Sequence, residues 1–155
     1  MVKEDTVFVV PEKLEKAVKE LLPAKGSIIT VKPGMKVDLE TFSVETVASY
    51  NNYKPFHPKK AGWVGYIIVF EDTRIYVAGD TDANADNEKV SCDIALVPIG
   101  GTYTMNAKEA AKFINEIKPK VAIPTHYGSI VGSFKDANSF AENVSPDIKV
   151  EIKIK

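Results

Sequence analysis

The stretch Arg74-Ile75-Tyr76-Val77-Ala78-Gly79-Asp80-Thr81-Asp82 joins an apolar strand pattern to an acidic ending. Its β-branched and aromatic residues predict a strand, and the glycine before Asp80 predicts the turn where that strand ends. A second apolar segment, Val121-Ala122-Ile123-Pro124-Thr125-His126, ends in the same way on a histidine. Carboxylates and imidazoles both bind metal ions in proteins. The two segments therefore predict a site for a cation or a water molecule at the edge of a sheet.

The composition is that of an ordinary globular chain, and it excludes several classes of protein. The 155 residues are 45% hydrophobic and 26% charged, which suits a single domain over 1–155. A net charge of −1 provides no basic face for nucleic acid. The single cysteine, Cys92, excludes an internal disulfide and a multi-cysteine zinc site. We find no apolar run of membrane-spanning length and no signal-peptide pattern, so we expect a cytoplasmic protein without a membrane partner.

The periodicity of apolar residues predicts one α/β unit without repeats or linkers. The first strand is expected to be buried, and the strands at 63–70 and 74–78 are expected to form a hairpin. Asn106 and Glu109 are placed to form a capping box at the start of a helix. The predicted strands are 6–10, 27–31, 36–39, 42–47, 63–70, 74–78, 94–99, 121–125 and 148–155, and the predicted helices are 11–22, 107–117 and 134–144.

Each candidate site residue also has a purely structural interpretation. Asp80 or Asp82 could form an Asx-turn with the backbone that follows it. His126 could be a hydrogen-bonded core histidine, and His57, which lies between two prolines in an aromatic and amide-rich loop, could simply be exposed. The segment 100–102 (GGT) could bind an anion through backbone amides or serve as a plain strand-to-helix turn. Taken one at a time, these features do not establish a function.

In their order along the chain, four segments resemble the C-terminal half of the metallo-β-lactamase superfamily. They are Gly62–Tyr66 (GWVGY), Ile75–Asp82 (IYVAGDTD), Leu96–Met105 (LVPIGGTYTM) and Ile123–Gly128 (IPTHYG). The branch is similar to zinc-dependent hydrolases such as the L-ascorbate-6-phosphate lactonases. The resemblance implies part of an αββα sandwich, with a mixed sheet, flanking helices and a metal site at the sheet edge.

The resemblance also assigns metal ligands to positions in this sequence. Asp80 matches the family's metal-bridging aspartate, and His126 matches its last histidine ligand. A further family histidine falls in the region of His57, although Asn51 could occupy the equivalent position instead. The implied metal is zinc, with manganese or iron as alternatives.

This sequence departs from the family pattern at its main metal-binding signature, His-x-His-x-Asp-His. The chain has two histidines, and neither belongs to such a motif. We therefore expect a domain that is shortened at its N-terminus relative to the family. Asp80 and His126 alone would leave the site incomplete, since catalytic zinc takes three protein ligands. That expectation argues against a working enzyme formed by this chain alone.

Two hypotheses about function follow. The first is a metal-dependent hydrolase acting on an ester, a lactone or a phosphoester of a small molecule. In that hypothesis Thr81, Asp82, Tyr103 and Tyr127 support the ligands or face the substrate. The second is a non-catalytic binding or oligomerisation module that retains the scaffold. In either case exposed apolar strand faces would favour a homo-oligomer, or a partner chain that supplies the missing half.

Overall fold

A computed structural model describes Lys3 and the residues 5–21 and 26–154. Strands and helices follow one another as a mixed α/β chain. Short 3₁₀ turns lie at Glu12–Leu14, Lys59–Ala61 and Asn87–Lys89. The strands are β1 Val7–Pro11, β2 Ser27–Val31, β3 Lys36–Asp38, β4 Ser43–Ala48, β5 Val64–Phe70, β6 Thr73–Val77, β7 Ile94–Pro98, β8 Val121–Thr125 and β9 Lys149–Val150, and the helices are α1 Glu15–Leu21, α2 Ala107–Ile117 and α3 Phe134–Asn143.

Seven strands form one mixed sheet in the order β3-β4-β5-β6-β7-β8-β9. The pairs from β3 to β6 are antiparallel and those from β6 to β9 are parallel. β5 and β6 form the predicted hairpin. β1 and β2 pair in parallel as a separate two-stranded sheet. The mixed sheet with flanking helices confirms the predicted fold class.

One face of the seven-stranded sheet carries the hydrophobic core. Tyr76, Ala95 and Ala122 point to this face, and each is 0% exposed. α2 and α3 contribute Phe113 and Phe140 to the same core. Asn106 caps α2 and forms the predicted capping box with Glu109.

The opposite face of this sheet is apolar but only half-buried. Two cross-strand rows run over β5 to β8 in register. The two-stranded sheet reaches this face, where the Tyr66 hydroxyl donates to the Val9 carbonyl at 3.0 Å. The rows are Tyr66, Val77, Leu96 and Ile123, and Ile68, Ile75, Ile94 and Val121, all of intermediate exposure.

The prediction of a buried first strand was wrong. β1 has four of its five residues exposed or half-buried, and Val7 is 41% exposed. Among the described residues β1 pairs with β2 alone, and each of these two strands has a single buried residue. The helix predicted from Pro11 begins instead as a 3₁₀ turn, and α1 follows only from Glu15. The predicted end of that helix, at residue 22, lies outside the described residues.

The prediction of a long C-terminal strand was also wrong. β9 contains only Lys149 and Val150, paired with the start of β8. Residues 151–154 form no regular strand, and Ile154 accepts a hydrogen bond from the Tyr127 hydroxyl instead. β8 continues to Thr125, but Pro124 has no amide hydrogen to donate to the strand beside it, which alternation in the C-terminal segment does not reveal. Residue 155 lies outside the described part.

Among the described residues, the helices are too short or too polar to span a membrane.

Candidate functional site

Asp80 and His126 lie together at one edge of the large sheet. β6 and β8 run in the same direction on either side of β7, so their carboxyl ends reach the same edge. The Asp80 Oδ1 and His126 Nε2 atoms are 3.4 Å apart. The side chains remain 39% and 34% exposed respectively, so a ligand can reach both.

Backbone conformation brings both residues to this position. Gly79 has a φ of +67°, which turns the chain after β6 and presents Asp80. His126 itself has a φ of +56°, an uncommon conformation for a residue with a side chain. Strained backbone of this kind is frequent at functional sites.

Gly100 packs directly against His126. A Cβ atom at Gly100 would lie 2.3 Å from the His126 carbonyl oxygen and 3.1 Å from its Nδ1 atom. Nδ1 is buried and has no hydrogen-bond partner within the described part of the chain. Nε2 is therefore the ring nitrogen that faces Asp80 and the accessible edge.

The structure brings His57 to the same site. Its Nδ1 atom is 3.0 Å from the Asp80 carbonyl oxygen, and its ring packs edge-on against Trp63. A carbonyl oxygen only accepts hydrogen bonds, so Nδ1 carries the proton and Nε2 of the neutral ring keeps its lone pair. Metal-binding histidines commonly bond a backbone carbonyl in this way.

Asn51, the alternative to His57, has a different environment. It is 4% exposed, and its amide donates to the carbonyls of Phe56 and Tyr103 at 3.1 and 2.9 Å. Asn51 thus joins the loop that contains His57 to the loop before α2. Its Oδ1 atom is buried and without a partner among the described residues.

The four supporting candidates have distinct environments. Thr81 is 0% exposed, and Asp82 accepts a 2.5 Å hydrogen bond from Lys54. Tyr103 is 38% exposed and packs edge-on against Phe56.

Tyr127 is 4% exposed, and its hydroxyl donates to the C-terminal segment rather than towards the sheet edge. Burial raises the pKa of Tyr127. Of the four, Asp82 and Tyr103 are therefore the ones whose side chains reach the surface.

The segment 100–102 is a strand-to-helix turn rather than an anion cradle. The amides of Gly101 and Thr102 already donate to the carbonyls of Met105 and Gly100. The Asn106 side chain accepts hydrogen bonds from the amides of Lys108 and Glu109, at the start of α2. The amides of Gly101, Thr102, Lys108 and Glu109 are therefore already used within the chain.

Sequence reasoning missed several polar residues around Asp80. Ser49 donates to the Asp80 carbonyl at 3.1 Å, and Lys54 bridges Asp82 to the Thr104 carbonyl. Asn84 and Asn87 form a buried cluster with Thr81. The amide-rich loop that contains Lys54 could have indicated a role for it. No periodicity or motif in the sequence indicates a role for Asn84 and Asn87.

No three histidine, cysteine, aspartate or glutamate side chains in the described part of the chain are grouped closely enough to hold a metal ion. Asp80 and His126 form a close pair, and His57 contacts this pair through the Asp80 backbone. The assignment of all three as ligands stays a prediction.

Known proteins resemble this chain along most of its length. A family model described as a beta-lactamase superfamily domain matches residues 4–126. A UPF0173 metal-dependent hydrolase of Methanopyrus kandleri is 40% identical over 96 residues, which are 57% of this chain and 42% of the relative. A UPF0173 metal-dependent hydrolase of Thermoplasma acidophilum is 34% identical over 116 residues, 71% of this chain and 51% of the relative. This chain thus spans about half the length of these relatives.

Solved structures show the same fold. A proposed metal-dependent hydrolase of Parabacteroides distasonis superposes with a TM-score of 0.76 at 28% identity, covering 94% of this chain and 63% of that one. The metallo-beta-lactamase fold protein YhfI of Bacillus subtilis gives a TM-score of 0.75 at 10% identity, covering 97% and 61%. The match of the family model over most of the chain, together with this fold, shows that the chain belongs to the beta-lactamase superfamily.

Proposed function

We propose that this chain is part of a metal-dependent hydrolase in which Asp80 and His126 bind the same metal ion. The observation that carries the proposal is the 3.4 Å separation of Asp80 Oδ1 and His126 Nε2. This separation exceeds the usual N–H···O hydrogen-bond range of about 2.7–3.2 Å. Two ligands of one tetrahedral zinc ion, each about 2.1 Å from the metal, lie about 3.4 Å apart. The spacing is therefore compatible with two ligands of one ion.

The residues fit only part of a complete metal centre. Catalytic zinc takes three protein ligands and keeps a fourth position open. His57 is the candidate for the third ligand, because its Nδ1 is occupied by the Asp80 carbonyl and its Nε2 is free to bind. When bound, the metal would supply an activated water molecule for hydrolysis. We propose zinc, with manganese or iron as alternatives.

Other residues of this chain would orient the ligands rather than react. Ser49 and His57 hold the Asp80 carbonyl, and Gly100 leaves the space that His126 occupies. The Lys54–Asp82 pair and Tyr103 lie on nearby loops, where they could contact a substrate. The proposed substrate is a small-molecule ester, lactone or phosphoester, and a phosphorylated sugar lactone is the first compound to test.

We also propose that the half-buried sheet face is covered in the functional protein. The two apolar rows on β5 to β8 form a continuous surface, and the small sheet contacts it through Tyr66. A surface of this kind favours association with a second copy or with a partner polypeptide that carries the remaining ligands. Light scattering at micromolar concentration tests this. We expect a particle larger than a monomer, and a clean monomer without any partner would contradict it.

A second candidate function is a non-catalytic binding or oligomerisation module. The observation that favours it is the lack of a third grouped ligand in the described part of the chain. Such a module would need no metal-binding carboxylate at Asp80 and would associate equally well after Asp80→Ala.

Complementation separates the two candidates. The chain is mixed with a polypeptide containing the half of the Methanopyrus kandleri relative that lies outside the aligned region, and zinc is added. We expect hydrolysis of an ester, lactone or phosphoester panel by the mixture, and loss of that activity in Asp80→Ala. A stable complex that remains inactive, while the intact relative hydrolyses the same panel, would favour the non-catalytic module.

A further inference from the structure

We infer that Asn84 and Asn87 are positioning residues that hold Asp80 in its metal-binding orientation. The inference rests on the proposed function, because it concerns the ligand role of Asp80. Neither asparagine reaches the sheet edge, since they are 2% and 0% exposed. They would act through the backbone that follows Asp80.

Both side chains donate hydrogen bonds to the backbone carbonyl of Asp82, two positions after Asp80. The Asp82 carbonyl accepts hydrogen bonds from Asn87 Nδ2 at 2.8 Å and from Asn84 Nδ2 at 3.1 Å. The Asp82 amide in turn donates to the Tyr50 carbonyl at 3.1 Å. The backbone of Asp82 is thus held at its carbonyl and at its amide by separate parts of the chain.

Thr81, the residue next to Asp80, is held by the same cluster. Its Oγ1 atom accepts from the Tyr50 amide at 3.1 Å and from Asn84 Nδ2 at 3.2 Å. Asn87 Nδ2 lies 3.3 Å from the same oxygen. The chain must therefore turn inward immediately after Asp80, which leaves the Asp80 carboxylate at the edge.

The cluster is internally complete. Asn87 Oδ1 accepts from the Asn84 amide at 2.8 Å, and Asn84 Oδ1 accepts from the amides of Asp86 and Asn87 at 3.0 and 3.1 Å. Both carboxamides thus use their oxygen and their nitrogen. Because the cluster is buried, water cannot readily replace a lost donor.

Asp80 lies between this cluster and a second anchor. The single Ser49 hydroxyl hydrogen is shared between the carbonyls of Ala78 and Asp80, which lie 3.2 and 3.1 Å from Oγ. Without the asparagines, the backbone that follows Asp80 would keep its hydrogen bonds to Tyr50 but lose those of the buried cluster. The distance of the Asp80 carboxylate to His126 would then be less firmly fixed. Residues that orient metal ligands typically affect metal affinity by about 10–100-fold.

The test compares Asn87→Ala with a matched control, Asn115→Ala. Asn115 also joins two segments through its carboxamide, donating to the Asn143 carbonyl at 3.0 Å and accepting from the Ser145 amide at 2.7 Å. It lies on α2, away from Asp80. In zinc titration calorimetry of the full chain, we expect Asn87→Ala to weaken binding about 10–100-fold. Asn115→Ala should leave zinc affinity unchanged, and an equal effect of both variants would overturn the inference.

A metal-free measurement separates this inference from the metal-site proposal. The chain has two histidines, so the ring resonance of His126 can be assigned by its loss in His126→Ala. The position of the His126 resonance in Asp80→Asn shows the shift that follows when the Asp80 carboxylate is removed. We expect Asn87→Ala to move the His126 resonance in the same direction, and Asn115→Ala to leave it in place.

A folded Asn87→Ala chain with an unchanged His126 resonance would refute the positioning role, whether or not zinc binds. If Asn87→Ala does not fold, Asn84→Ala is measured in the same way. It removes the longer of the two bonds to the Asp82 carbonyl, so a smaller shift in the same direction is expected. A folded Asn84→Ala chain with no shift would likewise refute the role.

Discussion

Substituting Gly100 by alanine tests the packing that positions His126. The added Cβ would lie 2.3 Å from the His126 carbonyl oxygen and 2.7 Å from Val131 Cγ2. Gly100 is not among the residues with positive φ, so the backbone accepts alanine and the clash is the sole obstacle. Since carbon contacts begin at about 3.5 Å, the atoms must separate by about 1 Å.

The expected cost is that of overpacking a tight site, about 1–3 kcal/mol. For a domain of this size, thermal unfolding followed by circular dichroism should show a midpoint about 3–10 °C lower. Because the clash falls on His126, its ring resonance should also shift.

Ala111→Val provides the control. It overpacks the core at a residue that is 1% exposed and lies on α2. This variant should lower stability without moving the His126 resonance. The reasoning would be refuted if Gly100→Ala were as stable as the wild type, or if it left His126 unmoved.

Three further predictions concern the scaffold. Two hydrogen bonds from Arg74 hold the pKa of Glu45 below its ordinary value of 4.5, so the pair stabilises the fold above that pH and is lost as pH falls through the lowered pKa. Urea unfolding across acidic pH should therefore show a flatter pH profile for Glu45→Gln than for the wild type. Burial raises the pKa of the Cys92 thiol from 9.0 to about 11, so alkylation at pH 8 should be about 100-fold slower in the native chain than in urea. Asn106→Ala removes the two 3.0 Å capping bonds of α2 and should lower the free energy of unfolding by about 1 kcal/mol.

Much of the fold could be predicted because local patterns and tertiary structure agree. The hairpin of β5 and β6 has strong strand propensity on both sides of a short turn. The start of α2 is marked by a capping pair, Asn106 and Glu109, that depends only on neighbouring residues. The exposure of β1 and the early end of β9 could not be read in this way, since both depend on which strands lie beside them.

The site shows the same division between local and long-range information. Asp80 and His126 follow strands, so topology brings them to one edge and the sequence could predict their proximity. The roles of Ser49, Asn84 and Asn87 depend on contacts between loops that no periodicity records. The orientation of His57 towards the Asp80 carbonyl likewise depends on a positive φ at His57 that the sequence does not mark.

The most direct test of the account is the amount of zinc bound per chain, measured by elemental mass spectrometry after equilibrium dialysis against zinc. We predict that the wild type binds zinc and that Asp80→Ala and His126→Ala both lose it. Asp72→Ala, at the exposed hairpin turn, is the control and should bind as the wild type does. Zinc uptake that is unchanged in Asp80→Ala, or a wild-type chain that takes up none, would contradict the assignment of Asp80 and His126 as metal ligands.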